Sequence, residues 1–319
     1  MPRRGVKGMF VNGLKYLYRR LLPSGLRNEI WQLRAKGLRL TAQDWRLRAR
    51  IALGFPLAEV RLPQGQLCVD LRDTGVGRPL FCTRRYETQE MQWLCRLLQR
   101  GQTFVDVGAH VGYFTTLAAR RVGPAGRVVA VEPDPYNFLL LRRNVRRNRL
   151  SNVVIAHCAL GAKAGNALLY EAQENLGDHR LHVNAAAAAQ RHCVDIALET
   201  LDALLEHNRI GPPDVIKIDV QGSEAGVIAG MGRLLSGDRP LTLLLEFWPY
   251  GLAQAGASPQ TLFDTLAQAG FTARALGDEQ DLSFEQVLAR IGPINTRCPD
   301  HSFVNLVFRR SARQRALAA

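Results

Sequence analysis

The sequence predicts an α/β protein built on a doubly wound, mostly parallel sheet, and three observations predict it. Five short runs, at residues 103–107, 127–132, 153–158, 215–220 and 241–247, are apolar almost throughout rather than alternating. Helical stretches separate them, at residues 114–122, 134–148, 224–235 and 259–269. Glycines and acids gather just past the ends of the apolar runs, where open α/β sheets bind ligands. Strands that are apolar on both faces need cover on both faces, and crossover helices supply it in a parallel sheet.

The elements follow in chain order. Residues 1–57 form a basic helical extension, which carries most of the net charge of +14 of the 319-residue chain. Within residues 10–22 the apolar Phe10, Val11, Leu14, Leu17, Tyr18, Leu21 and Leu22 recur at helical spacing, with Lys15, Arg19 and Arg20 on other faces and Pro23 closing the stretch. Such a helix docks on the rest of the chain or on a second subunit, or lies on an anionic membrane surface. Nucleic acid is the least suited partner, because no RNA-binding module accompanies the charge.

Residues 58–310 read as one catalytic domain. Its lead-in, 58–85, alternates around Gly65 and Gly75 as a small hairpin does, and a helix follows over 87–98. The apolar strands and their helices come next, with a polar insertion at 162–210 over the site. The alanine tract at 185–189 suits a loop or a helix surface. Residues 271–276 and 302–309 suit strands that close the sheet, the latter antiparallel at its edge, and 311–319 is a tail.

Composition narrows the setting. The chain is 47% hydrophobic and 22% charged, which fits a globular domain with a sizeable core. Cys68, Cys82, Cys95, Cys158, Cys193 and Cys298 show no zinc-binding spacing and read as reduced thiols. With no run of eighteen apolar residues and no cleavable leader pattern, the expected location is cytoplasmic, with peripheral membrane contact through residues 1–57 as the alternative.

The first apolar strand runs into Asp106-Val107-Gly108-Ala109-His110-Val111-Gly112-Tyr113 and then a helix. Glycine at 108 and 112 permits a sharp turn and close backbone approach, and the helix start offers free amide donors, so a nucleotide-type cofactor is expected. Glu132 stands at the tip of the next strand, placed to accept hydrogen bonds from both hydroxyls of a ribose. Asp134 before Pro135 reads as a helix N-cap.

These motifs resemble the FkbM-type methyltransferases: Phe104-Val-Asp-Val-Gly-Ala-His-Val-Gly-Tyr-Phe-Thr115, Val131-Glu-Pro-Asp-Pro-Tyr-Asn-Phe138 with the stretch from Asn144 on, and Ile216-Lys-Ile-Asp-Val-Gln-Gly-Ser-Glu224. The similarity spans residues 86–246. It implies a Rossmann-like class I methyltransferase domain and S-adenosylmethionine as cofactor. By the same resemblance Asp106, Gly108 and Gly112, with Ala109 and Tyr113 in the same turn, surround the methionine end. Glu132 meets the ribose, Ala159 and Leu160 flank the adenine, and Glu87 either receives the methionine ammonium or caps a helix. The sequence departs from the family pattern at His110, where asparagine is usual, at Gln221, where glutamate is usual, and at Ala162, where an acid is common.

An alcohol acceptor must lose a proton as it is methylated, so a carboxylate or imidazole within reach is expected. Asp219 at the end of the fourth strand is the first choice, with His179 in the insertion and Glu246 at the end of the fifth strand as base candidates. Glu224 either caps its helix or pairs with Lys217, and His179 is otherwise an ordinary loop histidine. A metal held by Asp178, His179 and Asp219 lacks a recognised spacing, so none is expected. The leading function is O-methylation of a small molecule, sugar or lipid-linked glycan; RNA methylation and a catalytically decayed cofactor-binding adaptor are the alternatives. A dehydrogenase fits poorly, since the turn lacks the third glycine of the dinucleotide fingerprint.

Overall fold

The computed structural model describes residues 42–291 and 302–312. The helix expected at 10–22, most of the basic extension, Cys298 and most of the tail lie outside the described residues. The described residues divide into two compact units, 42–58 with 70–72, and 59–69 with 73–291 and 302–312. In the first, helix α1 (Ala42–Ala52) ends in a turn where the Phe55 amide donates to the Arg50 carbonyl at 2.8 Å. The Asp70 carboxylate there takes a two-pronged contact from Arg72, at 3.0 and 2.6 Å on Oδ2.

The second unit carries the site. Strands β1 (Leu57–Leu62) and β2 (Gly65–Asp70) form the expected hairpin, followed by α2 (Gly77–Thr83) and α3 (Thr88–Leu97). Then come β3 (Thr103–Val107), α4 (Tyr113–Val122), β4 (Arg127–Val131), α5 (Pro135–Arg147) and β5 (Val153–Ala156). The short β6 (Ala159–Leu160) follows, and the insertion contributes β7 (Gly165–Tyr170), α6 (Ala185–Ala188), β8 (Cys193–Glu199) and α7 (Leu201–His207). The chain finishes with β9 (Val215–Ile218), α8 (Glu224–Ala229), α9 (Gly232–Ser236), β10 (Leu241–Phe247), α10 (Pro249–Gln254), α11 (Pro259–Gln268), β11 (Thr272–Ala275), α12 (Phe284–Ile291) and β12 (Val304–Arg310).

Seven strands pair in the order β11-β12-β10-β9-β3-β4-β5. The five apolar strands β10, β9, β3, β4 and β5 are parallel, and β12 runs antiparallel to both its neighbours. From β3 the chain winds outward through β4 and β5, then returns to β9 on the other side and winds outward again. This reversal between β3 and β9 is the switch point at which such sheets open a ligand crevice. Val105, Val107, Val129, Val131, Ile216, Ile218, Leu243 and Leu245 belong to one large buried core, while Ala130 packs with Leu141 and Val145 in a second cluster.

Three expectations change. The strand expected at the sheet edge, β12, lies inside it and β11 forms the edge; Leu306, Val307 and Phe308 are consecutive and all buried, the signature of an interior strand. The helix expected over 224–235 breaks at Gly230, where an added Cβ would sit 2.1 Å from the Gly161 carbonyl oxygen, so close approach of the insertion interrupts it. Strands β7 and β8 of the insertion join β6, just ahead of it, in a three-stranded sheet in the order β6-β8-β7. The helix starts are as the sequence implies: Asp134 accepts from the Asn137 amide at 2.7 Å ahead of Pro135, and Ser258 accepts from Thr261 ahead of Pro259.

Candidate active site

A cleft of about 550 Å³ opens at the carboxyl ends of β3, β4, β9 and β10, across the switch point. Its floor is the turn after β3. The amides of Gly108 and Ala109 donate to the Val131 carbonyl at 3.0 and 2.9 Å, which draws the turn against β4. Gly108 has φ 85, and a Cβ there would lie 2.0 Å from the Asp219 carbonyl oxygen, so only glycine lets β3 and β9 end side by side. Buried Asn144 fixes the far side of the turn. Its Nδ2 donates to the carbonyls of Val111 at 2.8 Å and Cys68 at 3.0 Å, and its Oδ1 accepts from the Cys68 amide.

Of the residues expected to hold the cofactor, Glu87, Gly108, Ala109, Tyr113, Glu132, Ala159 and Leu160 line the cleft. Glu132 accepts from the His110 amide on Oε2 at 2.8 Å and from the Asp134 amide on Oε1 at 2.9 Å, which locks its carboxyl across the mouth of β4. Burial outweighs these two amides and pushes its pKa up to about 8. Asp106 and Gly112 stand one layer behind. Asp106 is buried, its Oδ2 accepts from the Thr115 hydroxyl at 2.6 Å, and its Oδ1 has no protein partner. Gly112, at φ 88, begins α4, and a Cβ on it would come within 2.7 Å of Leu141.

The opposite wall is acidic. Lys217, buried on β9, places its Nζ 2.6 Å from Asp219 Oδ2 and 4.8 Å from the centre of the Phe114 ring. Burial disfavours its charge, but Asp219, Glu87 and Asp106 together hold the ammonium above its ordinary pKa. Asp219 is also buried enough to resist ionisation, yet Lys217 and the amide of Gln221 keep its pKa below the usual carboxylate value. Glu246 is driven well above that value, by burial first and then by Asp219 and Glu224. Burial likewise raises Glu87 to about 7, against the pull of Lys217.

His179 lines the cleft, but its Nδ1 accepts from the Ala172 amide at 2.9 Å. The proton therefore sits on Nε2, which points toward Asp134 at 3.7 Å, and no lone pair is left for a substrate proton. The ring fastens the insertion loop instead. Glu224 accepts from the amides of Val220 and Gly222, so it caps the turn before α8 rather than reaching Lys217. Burial lowers His110 to about 4, so its imidazole is neutral where asparagine is usual in the resemblance.

Sequence reasoning did not single out Lys217, Tyr86, Asn137, Arg180 or Trp248 as part of the site. Lys217 carried a signal, since a lysine inside an apolar strand must find a charge partner when buried. Asn137 donates to the Leu176 carbonyl at 2.9 Å and Arg180 stacks 4.6 Å from the centre of the Trp248 ring. Both are long-range contacts that spacing does not encode. No cluster of three or more metal-ligating side chains occurs among the described residues.

The methyltransferase FkbM domain matches residues 106–273, just over half the chain. The chain belongs to the FkbM methyltransferase family. Methyltransferase 1 of Beauveria bassiana (strain ARSEF 2860) is 28% identical over 143 residues, covering 40% of this chain and 57% of that protein. Methyltransferase sdnD of Sordaria araneosa is 29% identical over 154 residues, covering 40% and 59%. Hexuronic acid methyltransferase AglP of Haloferax volcanii is 26% identical over 157 residues, covering 47% and 59%. The chain thus spans less than three fifths of the length of these relatives.

S-adenosylmethionine is the FkbM cofactor, and the site fits it. A strand-tip carboxyl held by two backbone amides, Glu132, faces the cleft with lone pairs left for two ribose hydroxyls. Gly108 and Ala109 form the turn that lines the floor of the cleft. Glu87 offers a carboxyl to a cationic end, and Ala159, Leu160 and Cys158 give an apolar slot suited to a base.

Proposed function

We propose that this FkbM protein methylates a hydroxyl oxygen of a sugar, a lipid-linked glycan or a related polyhydroxylated small molecule. S-adenosylmethionine supplies an electrophilic methyl on a good leaving group, so the protein's task is alignment and proton removal. The observation that carries the reading is Asp219. It is the one carboxyl of the acidic wall whose pKa is held low, by Lys217 at 2.6 Å, while Glu246 and Glu87 are pushed toward their neutral forms. An ionised carboxylate at the switch point is suited to accept the hydroxyl's hydrogen bond and to take its proton as the new carbon–oxygen bond forms.

The remaining groups divide the work. Glu132, Ala159 and Leu160 are suited to grip the nucleoside, and Tyr86, Trp248 and Arg180 to shape the acceptor end. Aromatic faces beside hydroxyl-binding carboxyls suit a sugar. The test is transfer of labelled methyl to a panel of sugars and glycans. Asp219→Asn should retain cofactor binding and lose roughly 10²- to 10⁴-fold in turnover. Undiminished turnover in that variant would sink the assignment.

A further inference from the structure

One contact on the acidic wall joins two strands. Gln221 donates from Nε2 to Asp219 Oδ1 at 2.9 Å and to Glu246 Oε2 at 3.0 Å. Asp219 follows β9 and Glu246 belongs to β10, so one amide ties the tips of neighbouring parallel strands together. The backbone enforces this aim. Gln221 has φ 52, and at Gly222, with φ 100, a Cβ would lie 2.7 Å from the Gly251 backbone. An amide carries two hydrogens and serves two acceptors, whereas glutamate, usual at this position in the resemblance, brings a third carboxyl and no donor unless protonated.

The charges around the pair leave little for an anion. Among the described residues that line the cleft, the acids are Glu87, Glu132, Asp178, Asp219 and Glu246, and the cations other than histidine are Lys217 and Arg180. Lys217 is bound to Asp219, and Arg180 holds Asp178 through Nε at 2.6 Å while stacking on Trp248. The groups facing Glu246 are Asp219, Glu224 and Glu87, opposed by Lys217.

We propose that Gln221 is a positioning and specificity-determining residue: by tying Asp219 to Glu246 it presents the acceptor with one carboxyl that takes a hydrogen bond and one that gives it. That pair suits a neutral acceptor bearing two adjacent oxygens, such as vicinal hydroxyls of a sugar ring, and rejects an acceptor with a carboxylate or phosphate at the reacting end. The substrate class rests on the O-methylation reading above. The burial that keeps Glu246 neutral and the Lys217 contact that keeps Asp219 ionised support the division between them.

The experiment is a carbon-13 carboxyl titration of the full chain saturated with S-adenosylhomocysteine, with Asp219→Asn and Glu246→Gln assigning the signals. In the wild type Glu246 should stay protonated through neutral pH while Asp219 is ionised. Gln221→Ala should raise the Asp219 midpoint, and Gln221→Glu should add a further protonated carboxyl. Retained S-adenosylhomocysteine binding shows that the variants fold. In a second arm, methyl transfer to neutral vicinal-diol glycosides should exceed transfer to the matching uronates and sugar phosphates at least tenfold, and Gln221→Ala should narrow the gap. Titrations unmoved by Gln221→Ala would overturn the positioning role, and wild-type transfer to uronates as fast as to neutral glycosides would overturn the specificity. Failure to bind S-adenosylhomocysteine would instead fall on the O-methylation reading, and the titration of the free chain would still decide the role of Gln221.

Discussion

Glu132 concentrates the binding argument in one side chain. Its two oxygens already hold the amides of His110 and Asp134, so the carboxyl has one orientation before any ligand arrives. Burial keeps Glu132 neutral below about pH 8, and hydrogen bonds to a neutral acceptor are worth about 0.5–1.5 kcal/mol each. Glu132→Ala should therefore weaken S-adenosylhomocysteine binding by roughly 5- to 150-fold in a calorimetric titration, given two ribose hydroxyls. Loss of less than threefold would mean that the ribose sits elsewhere. Glu132 was legible in the sequence because an acid at the tip of an apolar strand, twenty residues past a glycine turn, has few structural reasons to be there. Gln221 and Lys217 were not legible as a pair, because their meaning depends on which strand lies beside β9.

At the scale of elements, the cofactor turn and the insertion loop are held by buried polar side chains rather than by apolar packing. Asp73 accepts from the amides of Gly75 and Leu176 on Oδ1 and of Val76 and Gly77 on Oδ2, so one carboxylate joins residues 73–77 to the loop at 175–177 on the rim of the cleft. Asp73→Ala leaves four amide donors short of a partner, those of Val76 and Gly77 buried and those of Gly75 and Leu176 half-buried, at about 1–3 kcal/mol for each that water does not reach. The variant should lose roughly 2–5 kcal/mol of stability in denaturant unfolding and show faster hydrogen exchange at Leu176. Unchanged exchange there would show that Asn137, which also grips Leu176, is sufficient alone.

The parallel strands of this layer could be read from their apolar runs, and their helices from Asp134-Pro135 and Ser258-Pro259. The sheet in the insertion was missed although Val194, Ile196 and Leu198 alternate on β8, because that signal is short and its strand is only half covered. The break at Gly230 depends on a backbone approach from Gly161, seventy residues away in sequence, and nothing local announces it.

For the whole molecule, the acidic wall and the buried strand-tip carboxyls set a pH dependence. Burial raises Glu132 to about 8 and Glu87 and Glu224 to about 7 in the folded chain, while the unfolded chain releases the same protons near 4.5. Where the unfolded state binds fewer protons, stability falls as pH rises, so these groups cost stability between about 4.5 and 8. His110, held at about 4 against an ordinary 6.5, acts in the opposite sense below 6.5, where the unfolded chain takes up a proton first. The melting temperature should therefore decline from pH 6.5 to pH 8 without a ligand, where the three carboxyls outweigh the remaining titration of His110 in the unfolded chain. A flat or rising profile over that window would contradict the burial of these carboxyls. No helix among the described residues is long and apolar enough to cross a membrane.

The central claim is that the cleft at the switch point is a S-adenosylmethionine site, and calorimetric titration of the intact chain with S-adenosylmethionine, S-adenosylhomocysteine and NAD tests it most directly. Binding of the first two at a one-to-one ratio, with no heat from NAD, is the predicted result. Binding of NAD with neither of the others would contradict the account at its base.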